Sequence, residues 1–402
     1  MLLFFLSLYA GLRAFSLHTT RKLFWKGVSI FSLLLSLLSY EVVLPLVFLN
    51  VLLFWNPIDR IKQNNTKQQQ NHAVFILLNF IALIYIIVFK MKTTTRLGKF
   101  NYPGDVAHIT FSVFQVSYAK LGVNLPYIWG EVLSKYSNFT DLLTGLLLYT
   151  VIFLYLYAIS SREESVFPGT KWMRNLTFLS FIIFFLGYAI FFTNNKIGFS
   201  PTGIDNRVAI AAASGIAFTI VGGVGWICTS ILPHKFARWF FCVVIAIVCT
   251  GGFLIINSLA SFWITASQQQ QAVLAAIQHK FPAMTKNSTL ILDGVCPYNG
   301  PGIVFESQWD LMGALQTLYK DPTLRADIVT PRLQVKNNGI YTQIYTFSAF
   351  YPFKNLFIYN FKNQKVYHIY NAQAAVYYFQ EFNPDHNNGC PAGEAGNGVS
   401  VF

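Results

Sequence analysis

Charge is scarce in this chain. Only 11% of its 402 residues are Asp, Glu, Lys or Arg, while 54% are hydrophobic and 17% aromatic. So little charge excludes an ordinary soluble enzyme and points to a multi-span membrane protein. The motifs of common soluble chemistry are missing too. There is no glycine-rich phosphate loop, no HExxH, no GxSxG and no CxxC. The seven histidines are scattered, so no metal site follows from spacing, and no cofactor is implied. No internal repeat is visible, and QQQQ and NNTKQQQN are short biased tracts expected in exposed segments. The start, MLLFFLSLYAGLRAFSL, has no basic region before its apolar core and no convincing small-residue cleavage site. It reads as a retained span.

The formal charge of +13 is uneven. Residues 1–261 carry 20 Lys+Arg against 8 Asp+Glu, and residues 262–402 carry 9 against 8. The excess belongs to the membrane half, where basic loops hold orientation; no nucleic-acid partner is expected. Apolar runs of membrane length occur at about 2–17, 28–55, 73–89, 142–159, 176–192, 208–232 and 239–260. The expected architecture is an all-α membrane bundle of about seven or eight transmembrane helices over 1–261. A small extracytoplasmic α+β domain over 262–402 follows it.

The run 28–55 is too long for one span and holds a carboxylate, Glu41, in LLLSLLSYEVVLPLVFL. A charge at the bilayer centre costs about 2.5–3.5 kcal/mol on insertion scales. Splitting the run at Tyr40-Glu41 removes that cost. It also puts eleven basic residues of short loops on one side: Arg21, Lys22, Lys26, Arg60, Lys62, Lys67, Arg162, Lys171, Arg174, Lys235 and Arg238. Glu41 then tips a short hairpin on the outer side, with Pro45 in the first turn of the second helix. Two readings of Glu41 stay open: a polar residue at a functional cavity, or a helix cap paired with a neighbouring Lys.

The outer side then holds loop 90–141, loop 193–207 and the C-terminal region. Lys90, Lys92, Arg96 and Lys99 cluster there against the positive-inside trend, which suits an anionic ligand. Val106–Leu121, with His108 and Lys120 at its ends, reads as an interfacial amphipathic helix, or as one packed on the bundle. Tyr40, Tyr102, Asp105, Lys196, Asp205 and Arg207 complete the outer polar set. Arg207 opens the run 208–232 and either snorkels to the interface or grips a phosphate, with Asp205 orienting it and a helix N-terminus adding its dipole.

Beyond Ser261 the pattern changes. Phe262, Ile264, Val273, Leu274, Ile277 and Phe281 follow a helical period, and STLILDG, RADIVTPRLQV, GIYTQIYTF, NLFIYNF, KVYHIY and AVYYF read as strands. Asp293, Glu306 and Asp310 read as turn and cap residues, and the tail NPDHNNGCPAGEAGNG as loose. Cys228, Cys242 and Cys249 fall in apolar spans. Two readings of Cys296 and Cys390 stay open: a disulfide, which an extracytoplasmic place would allow, or two unpaired thiols.

LLLSLLSYEVVLPL resembles the small-apolar, acidic, Leu-Pro signature of bacterial multi-span C-type glycosyltransferases, relatives of the protein O-mannosyltransferases. GIDNRVAIAAASGIA is similar to the helix start after their late outer loop, and SFWITASQQQQAVLAAI through STLILDGVCPYNGP to their extracytoplasmic C-terminal part. The resemblance implies an inner-membrane enzyme of the cell envelope that takes a sugar from a polyprenyl-phosphate donor and passes it to an outer acceptor. It implies Arg207, with Asp205, Arg96 and Lys99, as ligands of the lipid phosphate, and Glu41 as a cavity residue. The family's acidic base lies in a first outer loop near its N-terminus, and no residue before Glu41 matches it; the expectation is a member truncated there. A flippase of lipid-linked saccharide and a non-catalytic membrane scaffold are the alternatives.

Overall fold

The computed structural model describes residues 2–15, 21–39, 41–49, 66–93, 103–115, 139–161, 169–189, 210, 212–344, 347–386, 388 and 390. The chain divides into two compact units, Met1–Gly251 and Gly252–Phe402.

The first unit is helical: α1 (Leu2–Phe15), α2 (Lys22–Ser39), a 3-10 helix (Glu41–Leu46), α3 (Thr66–Thr93), α4 (Pro103–Phe114), α5 (Phe139–Ser161), α6 (Thr170–Tyr188) and α7 (Ala213–Ile231). A last helix, α8 (His234–Lys280), contains the boundary between the units. Among the described residues four helices are long and apolar enough to cross a membrane: Lys22–Ser39, Leu142–Ser161, Ala213–Ile231 and Phe236–Lys280. Leu2–Ala14 and Leu77–Ile86 are shorter apolar helices. The chain is therefore a membrane protein by the length and composition of these helices. The amphipathic segment expected at Val106–Leu121 is in part a helix, α4, which starts earlier, at Pro103; residues 116–121 lie outside the described set.

The backbone changes character near the carboxylate. Helix α2 stops at Ser39, and Glu41–Leu46 continues as 3-10 helix with Pro45 inside it. Proline supplies no N–H, so it suits this break. Leu46, Val47 and Leu49 are then buried with Phe4 and Leu8 of α1, Leu33 and Leu37 of α2, Leu83 and Ile86 of α3, and Ile183 of α6. Helices α1 and α2 are also joined by polar contacts, with Ser29 Oγ donating to the Ser7 carbonyl at 2.8 Å. In an apolar surround such bonds and small side chains hold helices together where lipid gives no hydrophobic drive.

Helices α6 and α7 show that packing most clearly. Gly215, Gly222 and Gly225 of α7 face Phe184, Thr177 and Met173 of α6. A Cβ on Gly215 would lie 2.6 Å from the Phe184 backbone nitrogen. The hydroxyls of Ser180 and Thr219 meet at 2.7 Å between the same helices. By contrast, α5 leaves Leu142, Leu143, Leu146, Leu147, Val151 and Leu154 exposed, an apolar surface suited to lipid.

Helix α8 has 47 residues, about 70 Å at 1.5 Å per residue. Its C-terminal part belongs to the second unit, where Ala266, Val273 and Ile277 are fully buried. That stripe contains Val273 and Ile277 as expected, but Ile264 is exposed. The glutamine tract is not wholly solvated: Gln270 Nε2 donates to the Val304 carbonyl.

After α8 come β1 (Thr289–Asp293), β2 (Tyr298–Asn299), β3 (Gly302–Ile303), α9 (Gln308–Tyr319), β4 (Arg325–Ile328), β5 (Gln334–Lys336), β6 (Gly339–Ile344), β7 (Phe347–Pro352), β8 (Leu356–Asn360), β9 (Lys365–His368) and α10 (Ala372–Phe382). The main sheet has the order β4-β1-β8-β9. Strands β4 and β8 are parallel to β1, and β9 is antiparallel to β8. Strands β5, β6 and β7 form a separate antiparallel meander. Leu290 and Leu292 pack on α8 and α9, while Ile291 packs with the meander and α10. Being covered on both faces is why β1 reads TLILD without polar alternation. Gly300, at φ +54°, and Gly302 let the β2–β3 hairpin lie on Phe262, whose ring and carbonyl leave no room for a Cβ.

Two expectations are corrected. AVYYF is not a strand but part of α10: Asn371 caps it by accepting from the Ala374 N–H at 2.8 Å. Ala375, Tyr378 and Phe379 are buried at helical spacing. The caps and the 3.6-residue period outweigh the β propensity of Val and Tyr. The tail is also not loose throughout. Cys296 and Cys390 form a disulfide with their Cα atoms 5.6 Å apart, and Asn383 and Asn388 are buried and hydrogen-bonded. Residues 391–402 lie outside the described set.

Candidate functional site

The residues expected to bind a lipid phosphate fall outside what is described. Arg96, Lys99, Asp205 and Arg207, with Tyr40, Tyr102, Lys120 and Lys196, are not among the described residues. Glu41 is placed by its backbone alone, at the first position of the 3-10 helix. His108 of α4 is exposed. Of the run expected at 208–232, a regular helix is described over Ala213–Ile231, and Ala212 precedes it with no side-chain cap.

The described polar centre lies instead at the strand ends of the second unit. Strand β1 ends at Asp293 and β8 at the paired residue Asn360. Chain leaves β1 towards α9 and β4 on one side of the sheet, and leaves β8 towards β9 on the other. Adjacent parallel strands whose connections diverge leave a crevice at their carboxyl ends, where open α/β sheets bind ligands. A pocket of about 160 Å³ lies there, with Asp293, Asn360, Lys362, Phe382, Asn383 and Asp385 in its wall.

Asp293 is 1% exposed and accepts four hydrogen bonds. Gly294 N–H and Asn383 Nδ2 donate to Oδ1 at 2.8 Å each. Asn360 Nδ2 at 3.2 Å and the Tyr378 hydroxyl donate to Oδ2. A carboxylate has about four lone-pair positions, so this one has none left for a substrate. It organises the pocket and is no base. Burial, then the neighbouring Asp293, pushes the Tyr378 hydroxyl far above its ordinary value, so it stays a donor.

Asn388 ties the segment after α10 to the strands. Its Nδ2 donates to the carbonyls of Val295 at 3.0 Å and Val329 at 3.3 Å. Its Oδ1 accepts from Gly294 N–H and Asn383 Nδ2, and its own carbonyl accepts from Lys362 Nζ. It holds φ +60°, a left-handed conformation that Asn tolerates better than most residues. The disulfide fastens the chain two residues on. With a sequence separation of 94, it removes roughly 4–5 kcal/mol of chain entropy from the unfolded state on the loop-closure model.

A second buried carboxyl, Asp327 of β4, accepts from Ile328 N–H at 2.8 Å, Thr342 Oγ1 at 2.6 Å and the Tyr351 hydroxyl at 3.0 Å. Burial raises its pKa, partly offset by these bonds. Nearby, Ser307 precedes α9 with a buried Oγ that has no hydrogen-bond partner among the described residues. Glu306 accepts from the Tyr298 hydroxyl, and Asp310 accepts from the Glu306 N–H at 2.9 Å. The cap role read for Asp310 is thus present, and burial raises its carboxyl as well.

Because Asp327 has a folded pKa above its unfolded value, its contribution to stability is full below about pH 4. It falls as pH rises through the folded value. Asn at 327 keeps the acceptor for Ile328 and offers its amide to two hydroxyls that can rotate to accept. The thermal midpoint of Asp327→Asn is therefore expected to fall less than that of the native chain between roughly pH 4 and pH 7. Parallel melting curves would contradict the assignment.

Little of this centre is legible locally in the sequence: apart from the adjacent Gly294, the partners of Asp293 lie at 360, 378 and 383. Only DG after an apolar strand hints at a strand-end residue. Among the described residues no group of three or more His, Cys, Asp or Glu is placed to hold a metal. No family model, no curated protein and no solved structure matches the chain.

Proposed function

We propose that this chain is an integral glycosyltransferase of the inner membrane, with seven or eight spans. It transfers a sugar from a polyprenyl-phosphate donor to an extracytoplasmic acceptor. The observation that carries the reading is the break at Glu41, which ends an apolar helix with a carboxylate where the resemblance to C-type glycosyltransferases calls for a cavity residue. Arg207 grips the lipid phosphate, oriented by Asp205, with Arg96 and Lys99 adding positive charge. The disulfide supports an extracytoplasmic place for residues 262–402, since such bonds persist in oxidising compartments.

The test is transfer in proteoliposomes supplied with a polyprenyl-phosphate sugar. Arg207→Ala is expected to lower turnover about a hundredfold, the scale of removing one donor to a developing charge. Native turnover in Arg207→Ala would remove the phosphate role, and an inert native chain would remove the enzyme reading. A chain with Cys390→Ser frees Cys296 for an impermeant thiol reagent. Labelling of intact cells is expected, and labelling only after lysis would put the domain inside.

One observation favours a second reading for the C-terminal unit alone. Asp293 is buried and saturated, so it serves its pocket as a fixed anchor and not as a base. A scaffold presenting this unit would need no base in the membrane half.

A further inference from the structure

We propose that the pocket between the ends of β1 and β8 binds a single sugar ring. Its wall and floor differ in what they can still offer. The floor is committed: both Asp293 oxygens are used, and the Asn360 amide nitrogen bonds Asp293 and Tyr378. The wall is not. Lys362 has three N–H donors, of which one goes to the Asn388 carbonyl. Asp385 is exposed and presents an acceptor-only carboxylate. A hydroxyl can donate to the carboxylate while accepting from an ammonium, and neighbouring hydroxyls on a ring can satisfy both at once.

The apolar wall is Phe382. Its ring is 38% exposed, yet held in place by Tyr378 and Tyr367, each with its centroid 5.2 Å away. Tyr378 is itself fixed by its bond to Asp293. A partly exposed, preset aromatic face beside polar groups suits a ligand with one C–H face and an edge of hydroxyls. The same wall disfavours other ligands. A phosphate would meet the carboxylates of Asp293 and Asp385 against one Lys, and a bare cation would find the Asp293 oxygens already taken by four donors. The volume of about 160 Å³ limits the occupant to one ring. This binding needs no lipid donor, so it stands or falls apart from glycosyl transfer.

The experiment uses the full chain in lipid nanodiscs, free of sugar detergents. Saturation-transfer NMR is run against glucose, mannose, galactose, N-acetylglucosamine and glucuronate, with inorganic phosphate as competitor. At least one sugar is expected to bind, and phosphate is expected not to displace it. Phe382→Ala and Asp385→Asn are each expected to weaken that binding about tenfold. Asp385→Asn is expected to keep the thermal midpoint, and both variants an intact Cys296–Cys390 bond. The tenfold loss at 382 separates this pocket from any sugar site in the membrane half. No binding by any of the five sugars, displacement by phosphate, or native affinity in Phe382→Ala would overturn the proposal.

Discussion

Asp293→Ala is expected to loosen the second unit by roughly 3–5 kcal/mol, the scale of leaving several buried polar groups short of partners. The Tyr378 hydroxyl would lose its acceptor outright. The other three donors would keep one partner each: Gly294 N–H and Asn383 Nδ2 on Asn388, and Asn360 Nδ2 on Tyr378. Asp293→Asn should be milder but still costly: with its amide nitrogen on the Oδ2 side the Tyr378 hydroxyl can turn to accept, yet the Asn360 amide nitrogen still meets a donor. The readout is hydrogen exchange along α10 and residues 383–390 in the full chain. Protection there should fall by about two to four powers of ten, while the disulfide stays closed. Unchanged protection would mean that the network is bystander to the fold, and the pocket would then have no fixed floor.

The contrast between β1 and its network shows what a sequence can reveal. TLILD is recognisable because both faces of the strand are buried, so five consecutive positions obey one local rule. The break at Glu41 is recognisable for an equally local reason: a charge inside an apolar run, followed by proline. The Asp293 network obeys no local rule. Apart from the adjacent Gly294 N–H, its donors come from β8, from α10 and from the residue that ends α10, and the parallel pairing of β1 with β8 brings the strands together. The disulfide had the same difficulty, since compartment and spacing left pairing open until the chain around Asn388 was placed. AVYYF misled for another reason. Five residues cover little more than one helical turn, too few to separate a period of 3.6 from alternation, and aromatic residues bias the reading to strand. The proposed phosphate ligands Arg96, Lys99, Asp205 and Arg207 remain a matter of sequence alone.

The largest effect in the membrane half is expected from Gly215. A Cβ there would meet the nitrogen and Cα of Phe184 at 2.6 and 2.7 Å, and these are backbone atoms of α6. They move only if the helices part. Gly222→Ala should behave alike, since Thr177 presents its nitrogen at 2.9 Å and its Oγ1 at 2.8 Å. Gly225 meets the Met173 side chain, which can swing away, so Gly225→Ala should be mild. Gly223 and Gly252 have no atom within 4 Å of the added carbon and serve as controls. Overpacking costs about 1–3 kcal/mol, and separation would also cost the Ser180–Thr219 bond. The order of stability in denaturant titrations of the reconstituted chain should be Gly223→Ala, then Gly225→Ala, then Gly222→Ala and Gly215→Ala. An equal loss at 223 and 215 would contradict the close approach. The damage should also travel. Ile183 of α6 shares its buried cluster with Leu46, at the end of the 3-10 helix that begins at Glu41, and with Val47 just after it. Moving α6 therefore disturbs the support of that 3-10 helix. If Glu41 lines a catalytic cavity, Gly215→Ala should lower glycosyl transfer more than Gly225→Ala does, in the same order as it lowers stability.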